Sequence, residues 1–310
     1  MARKSKIQVW SEYALARGII GFLGIMPRRA AVKSGILVSL LGFYLLKRLR
    51  EVAFRNLEIA FPDADEAERR RLTKGAFVNL GRILGDMSQF PKLTPAEIER
   101  TFEFRISAEL WTLYEQGKRD KRGIIIVSPH LGNWEMLVFA WSALYEPMSY
   151  LARALDNPLI EDLTVRLRTR FGNRPINKKN SAQTAIRVLR SGGILGILAD
   201  VNAHPKEGVF VPFFGVPACT STGVATLALR TNALIIPLCG VWDADAEKYA
   251  AVHGRIIEPV STGDRQADIA STTALFTAEV EKLVREYPDQ WLWIHKRWKT
   301  RPPGEPEFYK

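Results

Sequence analysis

From Phe102 onward the chain alternates between short unbroken apolar runs and longer stretches whose apolar residues recur every three or four positions. The runs read as strands at Phe102–Ile106, Gly123–Val127, Ser149–Ala152, Ile194–Ala199, Leu234–Leu238 and Ala250–Ile257. The periodic stretches read as helices at Ala108–Glu115, Trp134–Leu144, Pro158–Arg170, Ser181–Arg190, Ser221–Thr231 and Asp268–Glu286. Runs such as G-I-I-I-V and A-L-I-I-P-L lack polar alternation, as expected of strands covered on both faces. Strands alternating with helices predict an α/β fold, a central mostly parallel sheet flanked by helices. Ligands of such sheets bind beyond the carboxyl ends of the strands. The polar residues that follow the runs are therefore the ones to weigh: His130, Asp200, and the Cys239–Gly240 pair.

Upstream of Phe102 the pattern is helical. A charged stretch after Pro62 starts with Asp63 or Asp65 as cap, carries Glu66 and Glu68 in its first turn, and continues to about Gln89 before Pro91. Thr94 caps a further helix with Pro95 at its first position. The first fifty residues hold ten Lys and Arg against the single acid Glu12, which is nine of the eleven net positive charges of the 310-residue chain. A nucleic-acid binder can be this basic, but the same stretch is rich in Ile, Leu, Phe and Gly, which suits lipid. Its uncharged runs are shorter than the roughly 20 residues needed to cross a bilayer. The expectation is two amphipathic or shallowly inserted helices joined near Pro27, with Tyr13–Met26 a marginal anchor. Glu12 and Arg17 interrupt what would be the apolar core of a signal peptide. Gly18, Gly21 and Gly24 recur at three-residue spacing, either as a seat for another helix or by chance. The chain divides accordingly into a basic apolar membrane-anchoring region, 1–50, and an α/β domain, 51–310.

The remaining chemistry is sparse. The two cysteines show no metal or disulfide spacing, no histidine pair has a metal-ligand spacing, and the glycines near Gly192 precede a strand rather than follow one. His130 and Glu135 stand out: a histidine at a strand end, and a carboxylate in the first turn of the next helix. That pair supplies a general base and its orienter without an enzyme nucleophile, so a substrate hydroxyl would attack an activated acyl group directly. The plainer reading is a hydrogen bond that pins the strand-to-helix turn.

The segment H-L-G-N-W-E, His130 to Glu135, resembles the H-x4-D/E motif of glycerolipid acyltransferases, in the form typical of the bacterial lipid A late acyltransferases. Stretches beginning at Arg55, Asn157, Gly193 and Tyr287 resemble that family in the same order, and the basic apolar start matches its membrane anchor. The resemblance implies a glycerolipid-acyltransferase-like fold with an N-terminal membrane-associated helical segment. It also implies transfer of a fatty acyl chain from acyl carrier protein, or coenzyme A, to a hydroxyl of a membrane glycolipid. No resident cofactor is implied and no metal. The partners would be acyl carrier protein, the glycolipid acceptor and an anionic membrane surface, not nucleic acid. The place would be the cytoplasmic face of the bacterial inner membrane.

Carried over by position, His130 is the base and Glu135 its partner, Arg168 binds substrate phosphate or supports the site, and Asp200 and Asn133 contribute to substrate binding. Arg153 is a further candidate for phosphate contact. Where the family often has D-x-D this chain reads Asp200-Val-Asn202, so a second charge is missing there. Arg168 can equally belong to a solvated basic face, and Asp200 can cap the next segment. The dense group Trp291, Trp293, His295, Lys296, Arg297 and Trp298 reads as packing and cation–π architecture. The competing functions are acylation of a lysophospholipid or an inositol glycolipid, thioester hydrolysis, and lipid binding without turnover.

Overall fold

The computed structural model describes residues 5–152, 154–176 and 181–309; the expectation for Arg153 lies outside them. Every apolar run forms a strand. The strands are β1 (Phe102–Phe104), β2 (Ile124–Ser128), β3 (Ser149–Leu151), β4 (Arg174–Ile176), β5 (Ile194–Leu198), β6 (Gly208–Phe213), β7 (Val216–Ser221), β8 (Leu234–Asp243) and β9 (Lys248–His253). Seven form one sheet in the order β1-β9-β8-β2-β5-β3-β4, all neighbours parallel except β8 and β9. The mostly parallel α/β architecture is the expected one. The antiparallel β6–β7 ribbon stands apart and was not legible. Its Pro212 and Pro217 argue against a strand, yet a two-stranded ribbon has only edges, where proline is tolerated.

The helices are α1 (Lys6–Ile25), α2 (Arg28–Leu45), α3 (Lys47–Ala60), α4 (Glu66–Gln89), α5 (Pro95–Thr101), α6 (Ala108–Arg119), α7 (Trp134–Leu144), α8 (Pro158–Arg168), α9 (Ser181–Arg190), α10 (Gly223–Thr231) and α11 (Arg265–Glu286). Asp65, not Asp63, caps α4, and Thr94 caps α5 through a reciprocal capping box with Glu97. All five residues of β2 are buried, and alternate residues serve different layers. Ile125 and Val127 join α9, α10, α11 and the C-terminal tryptophans, whereas Ile124 and Ile126 join α5, α6 and α7. Each such side chain contributes about 1.5–3 kcal/mol by leaving water, which is why the run tolerates no polar residue until the strand ends.

Pro27 separates α1 from α2, as expected. Of the three glycines singled out in α1, Gly24 meets another helix, a Cβ there falling 3.3 Å from the Ser88 carbonyl oxygen of α4. Nothing lies within 4 Å of a Cβ built on Gly18 or Gly21. A Cβ on Gly35 of α2, by contrast, would sit 2.4 Å from the Gly81 carbonyl oxygen, and one on Gly85 would sit 2.5 Å from Val32 Cα. The backbones of α2 and α4 therefore touch. Ile7, Trp10, Leu15, Phe22 and Ile25 of α1, and Leu37, Leu41, Tyr44 and Leu45 of α2, are exposed, an apolar surface of the kind that meets lipid or a partner. Among the described residues no single helix is long and apolar enough to cross a membrane; α2 and α3 qualify only together, as a pair bent by 86°.

Candidate active site

β2 and β5 are parallel neighbours, and their register sets Ser128 beside Leu198. Two residues beyond each lies a polar side chain, His130 on one strand and Asp200 on the other. They meet: His130 Nδ1 and Asp200 Oδ1 are 2.7 Å apart, and the His130 backbone N–H donates to Asp200 Oδ2 at 2.7 Å. The indole N–H of Trp291 donates to the same Oδ2 at 2.7 Å. A carboxylate holding Nδ1 fixes the tautomer with the proton there and leaves the Nε2 lone pair free. Nε2 has no hydrogen-bond partner among the described residues, and the ring is 19% exposed at the mouth of a cleft.

The expected pairing of His130 with Glu135 is overturned. Gly132 turns the chain with φ +61°, and a Cβ there would fall 2.0 Å from the Gly240 carbonyl oxygen, so only glycine fits. Asn133 then starts α7, and Glu135 in its first turn meets Arg168 in the last turn of α8. Arg168 Nε donates to Glu135 Oε2 at 2.7 Å, and Nη2 donates to Oε1. The carboxylate is thus engaged by a guanidinium and reaches the imidazole only through space. Glu135 and Arg168 nonetheless line the same cleft as His130.

Burial alone would raise the Asp200 carboxyl. The His130 imidazole, its hydrogen bond and the Trp291 N–H overcome that and hold it at about 2. His130 shows the complementary balance: burial pushes the ring down, Asp200 pushes it up by charge and hydrogen bond, and the net move is upward.

Asn133, expected to bind substrate, is instead fully buried behind the cleft. Its Oδ1 accepts the Met136 N–H at 2.9 Å as the cap of α7, and its Nδ2 donates to Asp86 at 3.3 Å. Asn202 explains the departure from D-x-D. Its Oδ1 accepts the Thr300 N–H at 2.9 Å while Nδ2 donates to Thr300 Oγ1 at 3.0 Å, a pairing that needs both ends of an amide.

The C-terminal aromatic and basic group does more than pack. Besides Trp291 on Asp200, His295 Nε2 accepts the Asn202 N–H at 3.0 Å. Burial pushes His295 down to about 4, which keeps that nitrogen an acceptor. Arg297, fully buried, donates to the Val201 and Cys219 carbonyls and lies over the Phe213 ring at 5.0 Å. The residues flanking Asp200 are held from this one segment. Only the density of tryptophan and cation there hinted at it.

The cleft has a volume of about 480 Å³, within the range of small-molecule sites. From His130 it follows one face of the sheet inward, past Ser128 and Ile126 of β2 and Leu198 and Gly196 of β5. α7 covers it with Leu137, Val138 and Trp141, and Met148 and Tyr150 close the side. One end is polar and the long remainder apolar. Among the described residues no three His, Cys, Asp or Glu side chains are grouped to hold a metal.

Comparison with known proteins adds the following. A family model described as bacterial lipid A biosynthesis acyltransferase matches residues 2–300. The lipid A biosynthesis lauroyltransferase of Escherichia coli K12 is 28% identical over 296 residues, covering 95% of this chain and 94% of that protein. The palmitoleoyltransferase of the same organism is 28% identical over 265 residues, covering 85% and 83%. Its myristoyltransferase is 25% identical over 295 residues, covering 94% and 89%.

Proposed function

The chain belongs to the bacterial lipid A biosynthesis acyltransferase family and is an acyltransferase using an acyl-thioester donor; from that premise we propose how its residues carry the reaction and on what substrates. His130 is the general base, and Asp200 rather than Glu135 orients it. The acceptor is a hydroxyl of a lipid A precursor, and the donor is a fatty acyl thioester of acyl carrier protein. One observation carries this reading: an imidazole fixed by a buried carboxylate at 2.7 Å, its other nitrogen open at the polar end of a long apolar cleft.

In this mechanism the acyl chain lies along the cleft with its thioester carbonyl near His130. The acceptor hydroxyl gives its proton to Nε2 as its oxygen bonds to the carbonyl carbon, the reacting atoms being held roughly 3–3.5 Å apart. The imidazolium that forms is stabilised by Asp200. The carbonyl oxygen becomes an oxyanion at the N-terminus of α7. The Asn133 cap satisfies Met136 there, and the N–H groups of Trp134 and Glu135 have no intrahelical partner. Collapse re-forms the carbonyl and breaks the carbon–sulfur bond, and the departing thiolate takes the proton from His130. No covalent enzyme intermediate is needed, because a thiol leaves readily. The Glu135–Arg168 pair forms the polar wall opposite the ring and positions the acceptor.

Residues 1–50 serve in this reading as the membrane-anchoring region of the catalytic domain, 51–310. The exposed apolar side chains of α1 and α2 enter the lipid, and the basic residues of that region meet anionic headgroups. A carrier-protein donor places the active site on the cytoplasmic face of the inner membrane.

Mass spectrometry of lipid A precursor, incubated with acyl carrier protein thioester and enzyme, tests the assignment. The acceptor should gain one acyl group, and His130→Ala should lower that gain by about 10²–10⁴-fold. Acyl release without transfer to the lipid would instead identify a thioesterase.

A further inference from the structure

Asp86 of α4 is fully buried, and the mechanism above makes no use of it. Its Oδ1 accepts Arg28 Nε at 2.9 Å and Nη2 at 2.8 Å. Its Oδ2 accepts the Tyr249 hydroxyl at 2.8 Å and Asn133 Nδ2 at 3.3 Å. Arg28 is the first residue of α2, in the basic apolar region. Asn133 follows His130 by three residues and starts α7. A continuous network, half-buried at Arg28 and fully buried from Asp86 onward, therefore runs from the start of α2 to the N-terminus of α7.

An asparagine amide has a donor end and an acceptor end. Capping α7 requires Oδ1 toward the Met136 N–H, so Nδ2 needs an acceptor on its other side. An ionised carboxylate only accepts, and so Asp86 dictates which way Asn133 points. Burial pushes the Asp86 carboxyl up toward the neutral form, and the Arg28 charge is the largest influence opposing it. Without the guanidinium, an uncompensated charge would be left in the interior.

We propose that Asp86 is a positioning residue for acyl transfer, acting through Asn133 on the start of α7, and that Arg28 makes the N-terminal hairpin a support of the active site as well as its anchor. The proposal rests on the reading of His130 as base and of the α7 N-terminus as the oxyanion site.

Full-length Asp86→Asn, Arg28→Met, Arg28→Lys and the Asp86→Asn/Arg28→Met double variant test it, assayed in detergent micelles and on membranes. In Asp86→Asn, Arg28 draws the amide oxygen to itself and turns the NH₂ end against Asn133 Nδ2, donor against donor. The expected result for Asp86→Asn and Arg28→Met is a kcat lower by about 10–100-fold, the scale of a misplacement near 1 Å. Donor KM should change by less than about threefold. Arg28→Lys should recover part of the loss, and the double variant should be no worse than the lower single. Membrane partition should match wild type. Wild-type kcat in either single variant, multiplying losses in the double, or a loss that vanishes in detergent overturns the proposal. Should Asp86→Asn not fold, the two Arg28 variants carry the same test. A fully active His130→Ala would instead remove the reading underneath, independently of these variants.

Discussion

Two carboxylates stand near His130 and are almost equally buried, Asp200 at 3% and Glu135 at 8% exposure. They differ in what they face. Asp200 meets an imidazole, a group whose charge changes near neutral pH. Glu135 meets a guanidinium, which keeps its charge throughout. The first pair can take part in moving a proton. The second is a fixed, mutually neutralised strut that shapes the wall of the cleft. Placement in sequence suggested the reverse, since Glu135 is five residues from His130 and Asp200 is seventy.

The comparison can be broken most sharply at Asp200. Asp200→Asn should lower kcat/KM by roughly 10³–10⁴-fold, the scale seen when the acid of a triad is replaced by its amide. The amide no longer stabilises the imidazolium and can favour the wrong tautomer. Glu135→Gln should be milder, at most about 10²-fold, and should raise acceptor KM as Arg168 loses its fixed position. A larger loss at Glu135 than at Asp200, in initial-rate assays of folded proteins, would reverse the two roles. The smallest effect is expected deeper in the cleft, where a Cβ on Gly196 would make ordinary contacts with Met148 Sδ at 3.5 Å, Tyr150 Cβ at 3.7 Å and the Ser149 carbonyl oxygen at 3.9 Å. Gly196→Val should fold and shorten the space for the chain. Activity should then fall several-fold for each methylene that no longer fits, since each buried methylene is worth about 0.8 kcal/mol. Competition between donors of different length measures this, and an unchanged preference would place the chain elsewhere.

Much of this was legible in the sequence, for particular reasons. β2 and β5 are apolar on both faces, so their ends, and the polar residues just past them, could be read directly. His130 and Asp200 both emerged that way. Their contact did not, because strand order is a property of the sheet and leaves no trace in periodicity. The equal two-residue offset of His130 from Ser128 and of Asp200 from Leu198 is a clue only once β2 and β5 are known to be neighbours. Gly35, Gly81 and Gly85 went unread for a similar reason: their role depends on two helices far apart in sequence coming together. The charge of the first fifty residues was plain, whereas the pairing of Arg28 with the buried Asp86 required α4 to be in place.

The most direct test of the account is the pH dependence of kcat/KM in wild type, Asp200→Asn and Glu135→Gln. The neutral imidazole is the working base, so activity should fall as protons are added through its pKa, which Asp200 holds above the ordinary 6.5. In Asp200→Asn the larger upward pull is gone and only the weaker one of Glu135 remains, while burial and the Arg168 charge still push down, so the acid limb should move to lower pH. Glu135→Gln should move it less. An acid limb that stays in place without Asp200, or that moves further when Glu135 is changed, would contradict the pairing on which the mechanism stands.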